Sequence, residues 1–168
     1  MGGWFWFMMW LGASAPEPSE PDSYMVSVTA VLDGDTFIAW GKDLHCKERI
    51  RVYGIDAPEY NQKFGDKAKK IVQALILKKR VAIEPVFTSK GSTEDNYGRT
   101  VAIVRLADGS TLEEHLLDEG AAWVDPYCRK IVCDDWRSLQ GNARDEKKGL
   151  WADPAPVTPW LWRVRHGH

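Results

Sequence analysis

Apolar runs flank a short polar break in "YMVSVTAVLDGDTFIAW", which predicts a strand, a tight turn at Asp33-Gly34 and a second strand. Asp-Gly between apolar runs supplies the positive-φ positions that a hairpin turn uses. A third strand follows in "ERIRVYGI", where Arg49, Arg51 and Tyr53 alternate onto one face. In "GDKAKKIVQALILKK" the spacing changes. Ala68, Ile71, Val72 and Leu75 recur at helical intervals with lysines opposite, which predicts an amphipathic helix. "RVAIEPVF" and "RTVAIVRLADG" are the fourth and fifth strands, with Pro85 pointing to an edge or a bulge. A second helix in "STLEEHLLDEG" has a capping box at Thr111 and Glu114 and a stop at Gly120. A third, "DDWRSLQGNARDEKKG", closes at Gly149. Three strands, a helix, two strands and two helices lack the alternation of parallel βαβ units. The order predicts an α+β, mainly β chain: a small, mostly antiparallel barrel with appended helices.

The ends do not share this patterning, which divides the chain into a leader and linker (1–23), a domain (24–154) and a Pro/Trp-rich tail (155–168). The leader has an apolar run, Trp4 to Leu11, then Ala13-Ser14-Ala15 and a Pro/Glu/Ser stretch. It resembles a signal peptide cleaved after Ala15, although no Lys or Arg precedes the run. The bland alternative is an apolar extension packed on the domain. A span of about 30 Å of bilayer needs far more apolar residues than this run has, so no transmembrane anchor is expected. Secretion or periplasmic export is the expected localisation. In the tail, Trp160 and Trp162, with Trp151 just before it, either form a ligand platform or staple the tail to the domain; stapling is the commoner use of such indoles. His166 and His168 read as solvated.

With 22 Lys and Arg against 24 Asp and Glu, the net charge of −2 excludes a broadly cationic surface, so nucleic-acid binding would need a local patch. Lys47 to Arg80 supplies one, with ten basic residues against four acids. Between Asp108 and Asp125 there are six acids and no Lys or Arg. Cys128 and Cys133 are close enough for a small disulfide loop in an oxidising compartment and would be plain thiols in a reducing one; Cys46 is left over. Zinc is not expected, because no second Cys/His pair stands at ligand spacing.

The candidate chemistry gathers around "RIRVYGIDAPE". Asp35 leaves the hairpin turn, Asp56 ends the third strand, and Glu59 follows across a proline. Paired strands would bring Asp35 and Asp56 together, and an oxygen-only cluster favours a hard cation such as Ca²⁺ or Mg²⁺. Arg51 and Asp56 have opposite parity and meet only if the strand bends, which Gly54 allows. Arg99 arrives in the polar turn "EDNYGRT". Guanidinium groups bind phosphate oxygens bidentately, so these residues together meet the needs of phosphodiester hydrolysis: a base, a cation and donors for the extra charge. A surface salt-bridge network explains the same residues equally well.

"VLDGDTF", "RIRVYGIDAPE", "DNYGRTVAIVRLADG" and "ARDEKKGLWADP" resemble the staphylococcal nuclease family, from about Tyr24 to Pro154. The resemblance implies a five-stranded OB-fold barrel with three helices. It also implies Ca²⁺-dependent hydrolysis of DNA and RNA at the 5′ P–O bond, leaving 3′-phosphates. Asp35 and Asp56 match the family's single-calcium ligands, and the carbonyl of Ala57 adds another. Glu59 matches the general base, and Arg51 and Arg99 match the arginines on the scissile phosphate. Tyr97 matches a tyrosine near the nucleotide, and Asp95 a loop acid that shapes the site. There are departures. Asn96 replaces a nucleotide-contacting lysine, and Trp123 and Asp125 stand near the positions of two tyrosines, leaving Trp123 as the expected aromatic platform. The loop after Glu59 is shorter, so Lys63 and Lys67 are the expected substitutes for its phosphate contacts. The resemblance implies a nuclease acting on DNA and RNA as a monomer, with a preference for single-stranded or frayed ends; the alternative is a non-catalytic OB-fold nucleic-acid-binding module.

Overall fold

The computed structural model describes residues 21–41 and 46–167. The leader with its Ala15 cleavage expectation and His168 lie outside the described residues. Five strands close a barrel: β1 (Tyr24–Val31), β2 (Thr36–Trp40), β3 (Lys47–Val52), β5 (Arg80–Pro85) and β6 (Thr100–Arg105). Their order is β1-β2-β3-β6-β5, antiparallel except for the parallel pair β3 and β6. This is the expected five-stranded architecture. Closure removes every edge from these strands, so Pro85 marks neither edge nor bulge and simply ends β5 opposite Ala102. A second, two-stranded sheet pairs β4 (Ile55–Asp56) with β7 (Trp123–Val124).

The barrel interior takes the inward positions of each strand, among them Val26, Val28, Phe37, Ile50, Ile83 and Val104. α1 (Gly65–Ile76) lays Ala68, Val72 and Ile76 on this core, and its lysines face water. α2 (Leu112–Asp118) carries the expected capping box: Thr111 Oγ1 accepts from the Glu114 N–H while the Glu114 carboxylate accepts from the Thr111 N–H. α3 (Val132–Asp145) buries Trp136 and is followed by a 3₁₀ turn, Gly149–Ala152. The helix count departs from expectation. A fourth helix, α4 (Pro159–His166), occupies the tail.

The turn between β1 and β2 also differs in its cause. Gly34 is not among the positive-φ residues; a side chain there would place its Cβ 2.6 Å from Ala57 Cβ and 2.8 Å from Ala68 Cβ. The glycine lets the turn pack onto α1 and the segment after Asp56. Cys128 and Cys133 form a disulfide, and Cys46 is free and exposed. Among the described residues no helix is long and apolar enough to cross a membrane.

Candidate active site

The β1–β2 turn ends at Asp35, and β2 pairs with β3 so that Thr36 lies opposite Arg51. β3 would continue straight past Val52, but Gly54 has φ +68 and turns the chain into β4. That turn reverses the parity problem, and Arg51 reaches both acids: its guanidinium is 3.3 Å from Asp35 Oδ2 and 3.4 Å from Asp56 Oδ1. Asp35 Oδ2 also accepts the Ala57 N–H at 2.9 Å, and Asp35 Oδ1 accepts the Thr36 hydroxyl at 3.0 Å. Backbone and hydroxyl donors thus hold Asp35, whereas Asp56 is held by guanidinium groups alone.

Arg99 approaches from the loop before β6. Asp95 fixes it, accepting Nε at 2.7 Å and the Arg99 backbone N–H at 3.0 Å. Arg99 Nη1 donates to Thr36 Oγ1 at 3.3 Å, and the guanidinium lies 5.4 Å from the centre of the exposed Tyr97 ring. Thr36 links the two halves of the site, accepting from Arg99 and donating to Asp35. Sequence reasoning missed it, although a hydroxyl next to the turn aspartate was a usable signal.

Asp33, Asp35, Asp56 and Glu59 line one cleft of about 520 Å³ together with Arg49, Arg51, Arg99 and Arg163. Four carboxylates face four guanidiniums there. Burial, and then the charge of Asp35, pushes the Asp33 carboxyl up to about 6. Burial also raises Asp56, with Arg163 and Arg51 opposing it. For Arg51, burial works against the charged form, but Asp35 and Asp56 outweigh it and strengthen its hold on the proton. Asp95 is held below the usual carboxylate range: burial opposes this, and the hydrogen bonds from Arg99 and from the Tyr97 N–H prevail.

Arg51 and Arg99 also line a second cleft of about 640 Å³, so they form the wall between the two. Phe87, Tyr127 and Arg129 stand in this second cleft, with Phe87 and Tyr127 exposed. Trp123 is absent from both. It is 6% exposed and packs edge-on against Trp151, 5.5 Å between ring centres, so the aromatic platform expected of it is not formed and Tyr127 stands at the cleft instead. Lys63 pairs with Asp153 at 2.7 Å, outside both clefts, and Lys67 is exposed on α1 away from them.

Arg163 was not anticipated at all. It donates to Asp56 Oδ2 and Glu59 Oε1 at 2.6 Å each, and to Asp56 Oδ1 at 3.2 Å. Gln62, also unforeseen, accepts the Glu59 N–H at 3.1 Å and donates to the Val157 carbonyl at 2.6 Å, tying the acid's backbone to the tail. The tail signals lay in Thr158-Pro159 and Gly167, a start and a stop of helical type.

Comparison with known proteins agrees with the geometry. Residues 49–153 match the family model described as staphylococcal nuclease homologue. An uncharacterized endonuclease of Escherichia coli is 37% identical over 139 residues, covering 82% of this chain and 84% of that protein. The micrococcal nuclease of Shigella flexneri is 32% identical over 147 residues, covering 81% and 78%. An uncharacterized endonuclease of Haemophilus influenzae is 33% identical over 136 residues, covering 81% and 71%. With the family model spanning more than half of its length and its acids and arginines gathered in one cleft, the chain belongs to the staphylococcal nuclease homologue family.

Proposed function

We propose that the protein is a calcium-dependent, sugar-nonspecific nuclease that hydrolyses phosphodiester bonds of DNA and RNA at the 5′ P–O bond, leaving 3′-phosphates. The observation that carries this reading is the convergence of Asp35, Asp56, Glu59, Arg51 and Arg99 on one cleft. A divalent cation fits the donor set: the cleft offers carboxylate and carbonyl oxygens and neither His nor Cys, the chemistry of a hard ion. Asp35, Asp56 and the Ala57 carbonyl would hold it. When bound, Ca²⁺ would supply positive charge to a non-bridging phosphate oxygen.

This chain's own residues do the rest. Arg51 and Arg99 can each place two N–H donors on a phosphate and strengthen that hold as charge develops in the five-coordinate transition state. Glu59 accepts the proton of the attacking water on a carboxylate oxygen. Asp95 keeps Arg99 aimed, and Thr36 sets its spacing from Asp35. Tyr97 on the carboxylate cleft, and Phe87 and Tyr127 on the neighbouring one, offer exposed ring faces to bases in a way that reads no base edge, which favours single-stranded or frayed substrate. Export is part of the proposal, and the Cys128–Cys133 disulfide fits an oxidising compartment.

Digestion of a single-stranded oligonucleotide by the purified protein with Ca²⁺, and with a chelator, tests the reading. Cleavage should require Ca²⁺, and Glu59→Gln should slow it by about 10²- to 10⁴-fold without weakening oligonucleotide binding. Absence of Ca²⁺-dependent cleavage would overturn it.

A further inference from the structure

The C-terminal segment from Asp153 onward reaches the active site through a chain of polar contacts on one loop. Asp153 pairs with Lys63, the Val157 carbonyl takes the Gln62 amide, and the Trp162 indole N–H donates to Asn61 Oδ1 at 3.3 Å. All three partners lie within residues 61–63, just after Glu59. The apolar contribution to this docking is small. Pro159 is the buried residue of α4 and Trp162 is half-buried, whereas Trp160 is 36%, Leu161 39% and Val164 78% exposed. A helix held this way can lift from the domain with little apolar surface newly exposed.

Arg163 is the part of α4 that enters the cleft, and it spans both Asp56 oxygens and Glu59 Oε1. Those are the oxygens that the proposed reaction needs for the cation and for the water proton. One Asp56 carboxylate cannot give the same lone pairs to a guanidinium and to a metal ion. Glu59 accepting a 2.6 Å charge-assisted bond is likewise engaged and not aimed at a water. The charges lead to the same conclusion. With Arg163 in place the cleft's four carboxylates meet four guanidiniums, and with Arg163 withdrawn one negative charge is left for a cation.

We propose that Arg163 is a displaceable counter-cation and α4 its carrier: the helix caps the site, and a divalent ion with a phosphodiester replaces the guanidinium on Asp56 and Glu59. The proposal rests on the nuclease reading above. It makes Arg163 the residue that sets how much metal the enzyme requires. A cap closed nine-tenths of the time would weaken apparent metal binding about tenfold.

The test is calorimetric titration of Ca²⁺ alone into the full-length protein and into Arg163→Ala and Arg163→Gln, with melting curves confirming the fold. Both variants should bind Ca²⁺ about tenfold more tightly, and the Ca²⁺ giving half-maximal cleavage should fall by a similar factor. Trp162→Ala, which loosens α4 without touching the carboxylates, should shift both readouts in the same direction by a smaller factor. Equal or weaker Ca²⁺ binding by the Arg163 variants, with kcat reduced, would overturn the cap and make Arg163 a phosphate-holding residue. Ca²⁺ binding by none of the proteins would overturn the metal-dependent nuclease reading and the cap with it.

Discussion

At the scale of single residues, the site depends on one glycine as much as on its charges. Arg51 and Asp56 stand on opposite faces of a straight strand, and they meet because Gly54 takes φ +68 and turns the backbone between them. Space requires glycine too, since a Cβ at this position would lie 2.5 Å from Cys128 Sγ and 2.7 Å from the Trp136 ring. Gly54→Ala combines the cost of a left-handed backbone with an overpacked contact and should destabilise the protein by about 2–4 kcal/mol. Urea unfolding measures this, and a loss below about 1 kcal/mol would show that the disulfide loop yields to the methyl group. Gly34 acts through space alone, which is why a turn rule based on φ misread it. Thr36 is the quieter case: its hydroxyl joins Arg99 to Asp35, so a change to Val would remove that link without altering any charge.

At the scale of elements, α2 carries a buried carboxylate that the proposed chemistry does not use. Glu113 is fully buried, and its oxygens accept the Val104 N–H at 3.2 and 3.4 Å. Burial raises its pKa well above the usual 4.5, with backbone donors only partly opposing. The folded protein therefore keeps this proton to higher pH than the unfolded chain does. Above the unfolded value the folded state binds more protons, so Glu113's effect on stability worsens as pH rises, until the folded pKa is passed. Glu113→Gln keeps an acceptor for Val104 and cannot ionise. Urea midpoints at pH 5 and pH 8 should fall with pH in the parent and be flatter in the variant, with the variant the more stable at pH 8; parallel behaviour would rule Glu113 out. The elements legible in sequence were those with local signals. β1, β2 and β3 have apolar runs and a turn, α1 has its 3.6-residue spacing, and α2 has Thr111 and Glu114. β4 and β7, two residues each, have no period to read. Asp35, Asp56 and Arg99 were legible because turns and strand ends bring charge to one place. Arg163 was not, because its partner Asp56 is 107 residues away and its helix starts among prolines. Trp123 went to the core because Trp151, supplied by a distant turn, covers it.

At the scale of the whole molecule, the net charge of −2 means that no long-range field draws a polyanion in. Attraction has to arise locally, from the segregated basic stretch and from the arginines of the cleft. Many of those positive groups are already engaged: Arg51 with Asp35 and Asp56, Arg99 with Asp95, Lys63 with Asp153 and Lys70 with Asp66. Binding to a single strand should then release few counterions. If Arg51 and Arg99 share the scissile phosphate as proposed, the logarithm of affinity should fall against the logarithm of salt with a slope of about −0.7, the value for one phosphate on a single strand. Fluorescence anisotropy of a labelled single-stranded oligonucleotide, with Ca²⁺ present and Glu59→Gln used to prevent cleavage, gives that slope. A value steeper than about −4 would mean that the lysines of α1, Lys67 among them, bind the strand as well. In that case Lys67→Ala should reduce the slope by about 0.7 and weaken binding similarly for all sequences, since contacts to phosphates read no bases.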